Sequence, residues 1–99
     1  MPLLPDELAA LEEMVDSRIK TIPDTVRFYR LLKRDPSLML KEEGDFVFGY
    51  TWGLMIAGVA SVFRDVQRQI NEKEMDEAVQ VLNSRMHQIR QAILNASKL

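Results

Sequence analysis

His87 is the single histidine of this 99-residue chain, so it is the first side chain to weigh for chemistry. Acid–base work needs a second titratable or nucleophilic group within hydrogen-bond reach. Helical carboxylate metal sites need Glu-x-x-His spacing on an inward face. The residue three before His87 is Ser84, and Gln88 and Gln91 share its polar face, so His87 reads as a surface residue. The acidic clusters Glu12–Glu13, Glu42–Glu43 and Glu72–Glu77 fall at helix starts or links, where solubility and the helix dipole account for them. There is no Cys, hence no thiolate ligand and no disulfide. Gly49, Gly53 and Gly58 sit inside a helical pattern, not between a strand and a helix, so no phosphate-cradling loop is present in the pattern. The sequence predicts no catalytic residue, no metal site and no cofactor, and a protein that is not an enzyme.

Three other groups point to binding. Residues 18–34 hold Arg18, Lys20, Arg27, Arg30, Lys33 and Arg34 against one acid, Asp24. Lys20, Arg27, Arg30 and Arg34 can share one helical face, with Phe28 and Tyr29 in the same segment. Such a face meets phosphates and positions a protein on nucleic acid without reading sequence. The net charge of −2 and pI of 5.4 weigh against that and favour a solvated face paired with the acidic first helix. The second group is a stripe of small residues: Gly49, Gly53 and Ala57 lie four apart, and Ala60 and Ser61 extend the line. An interior helical Gly costs about 0.8–1 kcal/mol relative to Ala. Small residues at this spacing let a second helix backbone come close, either from the same chain or from a second copy. In the third group Arg64 and Arg68 prolong that line by two turns, and with Tyr50 and Trp52 they outline a pocket for an anionic ligand.

The element that must position these groups runs from Asp45 to Asn71. Phe48, Trp52, Met55, Val59, Val62, Val66 and Ile70 recur at alternating spacings of four and three, the apolar face of a helix. Asp45 is the expected N-cap. Phe46 to Phe63 is 18 residues without a charge, the lower edge of a membrane span. Its Gly, Thr, Tyr and Ser residues and the amphipathic pattern that continues to Ile70 favour a core helix of a soluble bundle, so membrane insertion is not expected.

Around it the chain reads as helices throughout. Pro5, Asp6 and Glu7 open a first helix with Leu8, Leu11, Val15 and Ile19 inward, after a frayed start at residues 1–4. Thr21-Ile-Pro-Asp24 breaks or kinks it, with Thr21 and Asp24 placed as a capping box. Val26, Phe28, Tyr29, Leu31 and Leu32 follow, and Asp35-Pro36 stops the segment and seeds a short turn to Leu40. Asn71 and Glu74 are spaced as a capping box for the last helix, where Met75, Val79, Leu82, Met86, Ile89, Ile93 and Ala96 form a heptad-like seam.

The expectation is an all-α fold, a small helical bundle with two short N-terminal helices packed on a long antiparallel helical hairpin. Residues 1–99 form one domain, with helices at about 5–20, 22–34, 45–70 and 72–96. The long hairpin has more apolar arc than one chain covers, which predicts a homo-oligomer, a dimer being favoured. The favoured function is a non-catalytic protein–protein interaction or scaffold module. The alternatives are a nucleic-acid-associated regulator using the 18–34 face and a small-ligand sensor with a pocket near Trp52. Without Cys, and without a basic N-terminal region or cleavage pattern, a cytoplasmic location is expected and no signal peptide.

Overall fold

Local chemistry starts and stops each helix. In the computed structural model, residues 3–38, 42–65, 69 and 71–98 are described. All regular structure among them is helical: α1 (Pro5–Lys20), α2 (Ile22–Leu32), a 3₁₀ turn at Pro36–Leu38, α3 (Glu43–Asp65), α4 (Glu72–Ser84) and α5 (Met86–Ser97). The fold is all-α, as the periodicity predicts.

Pro5 fills the first position of α1, and the Glu7 carboxylate accepts the Leu4 N–H at 2.9 Å. The expected fraying does not extend to Leu3, whose side chain is buried and whose N–H donates to Glu77 at 2.9 Å. One apolar side chain in the core and one backbone bond to α4 are enough to hold this end. The Thr21–Asp24 capping box does not form. Thr21 keeps a right-handed helical backbone, so its hydroxyl donates back to the Arg18 carbonyl at 2.9 Å. Pro23 therefore only bends the chain between α1 and α2. Asp35 accepts from both the Ser37 amide (3.0 Å) and hydroxyl (2.7 Å), which closes the 3₁₀ turn and holds its carboxyl below the usual carboxylate range. The Asn71–Glu74 capping box forms as read: the Glu74 N–H donates to Asn71 at 2.8 Å and the Asn71 N–H donates to Glu74 at 3.1 Å.

α3 packs on α1, α2 and α5, while α4 packs chiefly on α1 and α2 lies on α5. Asp45 is not the N-cap of α3, because the helix already begins at Glu43 and Asp45 lies in its first turn. The most buried residues of α3 also differ from the expected face. Val47, Thr51, Met55, Val59 and Phe63 are buried at strict four-residue spacing, while Phe48, Trp52 and Val62 are only partly buried. A strict four-residue line winds around the helix, as it does where helices cross at an angle, whereas a four–three alternation runs straight along a coiled-coil seam. Val66 and Ile70, the end of the expected face, lie outside the described residues, as does Leu40.

The last helix is not continuous to residue 96. It breaks at Arg85 (φ −98°, ψ 1°), where the N–H turns back to the Leu82 carbonyl at 3.1 Å. The buried residues are Glu74, Ala78 and Leu82 in α4 and Ile89, Ile93 and Ala96 in α5, so the line lies one residue off the expected seam before Leu82 and on it from there. The seam holds from Leu82 onward, but Met75 and Val79 are left exposed. The reason is that α4 turns toward α1 and not toward α3.

Two arginines fasten the helices from outside. The Arg85 guanidinium donates to Glu12 and Asp16 on α1 and to Gln88 on its own helix. Arg30 donates to both Glu43 oxygens (2.7 and 3.3 Å) and to the Ser97 carbonyl (3.0 Å), joining α2, the start of α3 and the end of α5. Hydrogen bonds to these carboxylates raise both arginine pKa values further above their ordinary range, so the links persist at any pH at which the carboxylates stay ionised.

Candidate functional site: the outer face of α3

Helical geometry divides the surface of α3 into strips. Toward α2 lies Phe46, 5.1 Å from the Tyr29 ring and stacked at 6.2 Å on Tyr50. Toward α5 lies Phe48, stacked on Trp52 at 6.0 Å, with the Arg90 guanidinium 4.1 Å from its ring centre. Between these aromatic pairs the helix turns Gly49 and Gly53 outward, and the same strip continues through Ile56, Ala57 and Ala60. A Cβ placed on Gly49 or Gly53 would meet nothing within 4 Å. Ile56 is 52% exposed and Tyr50 44%. The stretch Glu43–Arg64 is long and apolar enough to cross a membrane, yet only 28% of its most apolar 18-residue window is buried. Apolar surface of this kind gains roughly 25 cal/mol per Å² when covered, and the described residues leave it uncovered.

Among the described residues no other helix covers the small-residue stripe read from the sequence. Gly49, Gly53, Ala57 and Ala60 are exposed, and Ser61 is half-buried. The glycine that does receive a close neighbour is Gly58, where Met14 of α1 sits 2.7 Å from the position a Cβ would take. Sequence reasoning passed over Ile56, although a helical wheel puts it on the same arc as Gly49 and Ala60.

The basic face is partly consumed by the fold. Arg27 pairs with Asp24 at 2.8 Å, and Arg30 is engaged by Glu43 and Ser97. Lys20 and Arg34 are exposed without an ion-pair partner among the described residues. The four do not converge on one free surface.

The expected pocket is also rearranged. A shallow groove of about 340 Å³ lies between α2 and α3, lined by Arg18, Thr25, Phe28, Tyr50 and Leu54. Tyr50 belongs to it, but Trp52 turns to the α5 side and Arg64 lies near the far end of α3; Arg68 is outside the described residues. The groove is mostly apolar, and Arg18 Nε is buried there without a hydrogen-bond partner among the described residues. His87 is exposed on α5, and no group of three or more metal-binding side chains occurs among the described residues.

Comparison of the chain with protein families, with curated proteins and with solved structures finds no match in any of the three.

Proposed function

We propose that this protein is a non-catalytic interaction module that self-associates, as a homodimer, through the outer face of α3. One observation supports the reading: the most apolar helix of the chain turns Gly49, Gly53, Ile56, Ala57 and Ala60 away from its own core. Monomeric proteins rarely expose contiguous apolar patches larger than a few hundred Å², and such patches mark interaction surfaces. In this reading α1 and α2 lie on an antiparallel pair made by α3 and α5, with α4 turned aside onto α1. The pair keeps one face free for a partner, and the protein works in the cytoplasm.

The test is absolute mass in solution, without detergent, for the wild type and Gly53→Leu. A dimer is expected for the wild type. Leucine is a good helix former and has open space at position 53, so Gly53→Leu should keep its helix content while its mass falls to that of the monomer. A wild-type monomer, or a Gly53→Leu dimer of undiminished affinity, would overturn the proposal.

A further inference from the structure

Six of the exposed residues of α3, with Ala57 beside them, run along one side of the helix: Asp45, Gly49, Gly53, Ile56, Ala60 and Arg64. Their spacings are four, four, three, four and four, which read the same from either end. At about 100° per residue they fall within an arc of roughly 100°. The line is acidic at one end and basic at the other. Neither Asp45 nor Arg64 has a hydrogen-bonded or ion-paired partner among the described residues.

We infer that the occupant of this face is a second copy of the chain, lying antiparallel on α3 across a two-fold axis that passes between positions 54 and 55. The inference rests on the self-association proposed above and adds its register and direction. In this pairing Asp45 meets the partner's Arg64, Gly49 meets the partner's Ala60, and Gly53 meets the partner's Ile56. Two-fold symmetry makes each contact twice. Ile56 is the one large apolar side chain in the line, and it enters the open space above the partner's Gly53. The small residues on either side let the two backbones approach.

A parallel pairing of the same face does the opposite at every point. It sets Asp45 against the partner's Asp45 and Arg64 against the partner's Arg64, and it brings the two Ile56 side chains together with both glycine notches unfilled. Antiparallel packing also places each helix N-terminus beside the partner's C-terminus, which the helix dipoles favour. Charge and shape therefore select the same direction.

The chain has no Cys, so a single introduced thiol reports its neighbour without background. Gly49→Cys and Ala60→Cys both fall at exposed positions, and the first has open space for its side chain. The two variants are mixed in equal amounts and oxidised. In the antiparallel register position 49 faces position 60 of the partner. Two copies of position 49 would be 11 residues apart along the helices, about 16 Å, beyond the roughly 7 Å that a disulfide spans between Cα atoms. The mixed 49–60 product is expected in at least about tenfold excess over the 49–49 and 60–60 products. Dominant 49–49 and 60–60 products would overturn the inference in favour of a parallel pair. A protein that weighs as a dimer but forms none of these bonds would overturn it too, leaving self-association through another face. A wild-type monomer would overturn this inference and the proposed function together.

A charge exchange gives a second reading that needs no thiol. Asp45→Arg alone and Arg64→Asp alone each set like charges face to face, and both should weaken the dimer. The double variant Asp45→Arg/Arg64→Asp restores opposite charges and should recover the wild-type mass at the same concentration. A double variant as weak as the single ones would overturn the pairing.

Discussion

At the scale of single residues, three of the four glycines in α3 have two different jobs. Gly58 is buried, and the Met14 side chain occupies the space a methyl group would need, with Cγ and Sδ both 2.7 Å from the Cβ position. Gly49 and Gly53 face open space. Replacing any of the three by Ala recovers about 0.8–1 kcal/mol of helix propensity. At Gly49 and Gly53 nothing opposes that gain. In dilute solution Gly49→Ala should raise the melting temperature by roughly 4–8 °C, the shift about 1 kcal/mol produces in a domain of this size. At Gly58 the methyl group makes the flexible, half-buried Met14 side chain turn away, and the contacts it gives up offset the gain. Gly58→Ala should therefore melt no higher than wild type, and Gly58→Val clearly lower. Thermal unfolding of the three variants checks this, and equal stabilisation by Gly49→Ala and Gly58→Ala would refute it. The sequence identifies all three as helical, but it does not say which one faces a neighbour. That depends on which turn of α1 comes to rest against α3, a tertiary fact that spacing does not carry. The same limit applies to the basic face. The sequence favours pairing this face with the acidic first helix, but Arg30 meets Glu43 of α3 and Arg27 meets Asp24 one turn away.

At the scale of elements, periodicity shows that a helix exists, and crossing geometry decides which side is buried. The all-α fold, the kink at Pro23, the turn after Asp35 and the Asn71 cap are legible because each depends on residues within four positions of one another. The line Val47, Thr51, Met55, Val59 and Phe63 is not, because it depends on how α1, α2 and α5 come to rest on α3. Nor is the break at Arg85 legible, since the residues it answers to, Glu12 and Asp16, are about seventy positions away. Among the described residues Arg85 is the cation that ties the α4–α5 junction to α1. Its side chain is only 16% exposed, whereas Glu12 and Asp16 are 46% and 55% exposed, so solvent screens the pairs from the carboxylate side. Arg85→Met keeps the length of the stem and removes the charge. It should destabilise the fold by about 1 kcal/mol, and the deficit should shrink in high salt. Denaturant unfolding at two ionic strengths measures this. An unchanged midpoint at both would mean that packing alone sets the α4–α5 angle.

At the scale of the whole molecule, the chain extends 47 × 26 × 18 Å, and its longest helix forms a lateral face. Such a shape buries apolar surface less efficiently than a sphere, and the uncovered strip of α3 is the surplus. A partner that binds only the folded chain stabilises it by mass action, so the melting temperature of a dimer depends on concentration. A tenfold rise in protein concentration adds about 1.4 kcal/mol to a two-chain unfolding equilibrium. For two chains of this size that is roughly 3–5 °C per tenfold. The wild type should show this slope over a hundredfold range of concentration. Gly53→Leu should lose it, because its folding no longer depends on a second chain. Salt separates the two contributions to the contact. The Asp45–Arg64 ends are exposed and should weaken at high ionic strength, whereas the Gly53–Ile56 centre is apolar and should not. A slope that persists in 1 M salt with a lower absolute melting temperature places the centre of the contact on apolar packing. A wild-type melting temperature that does not change with concentration would show that the outer face of α3 stays free of a second copy, and the strip would then belong to a different partner.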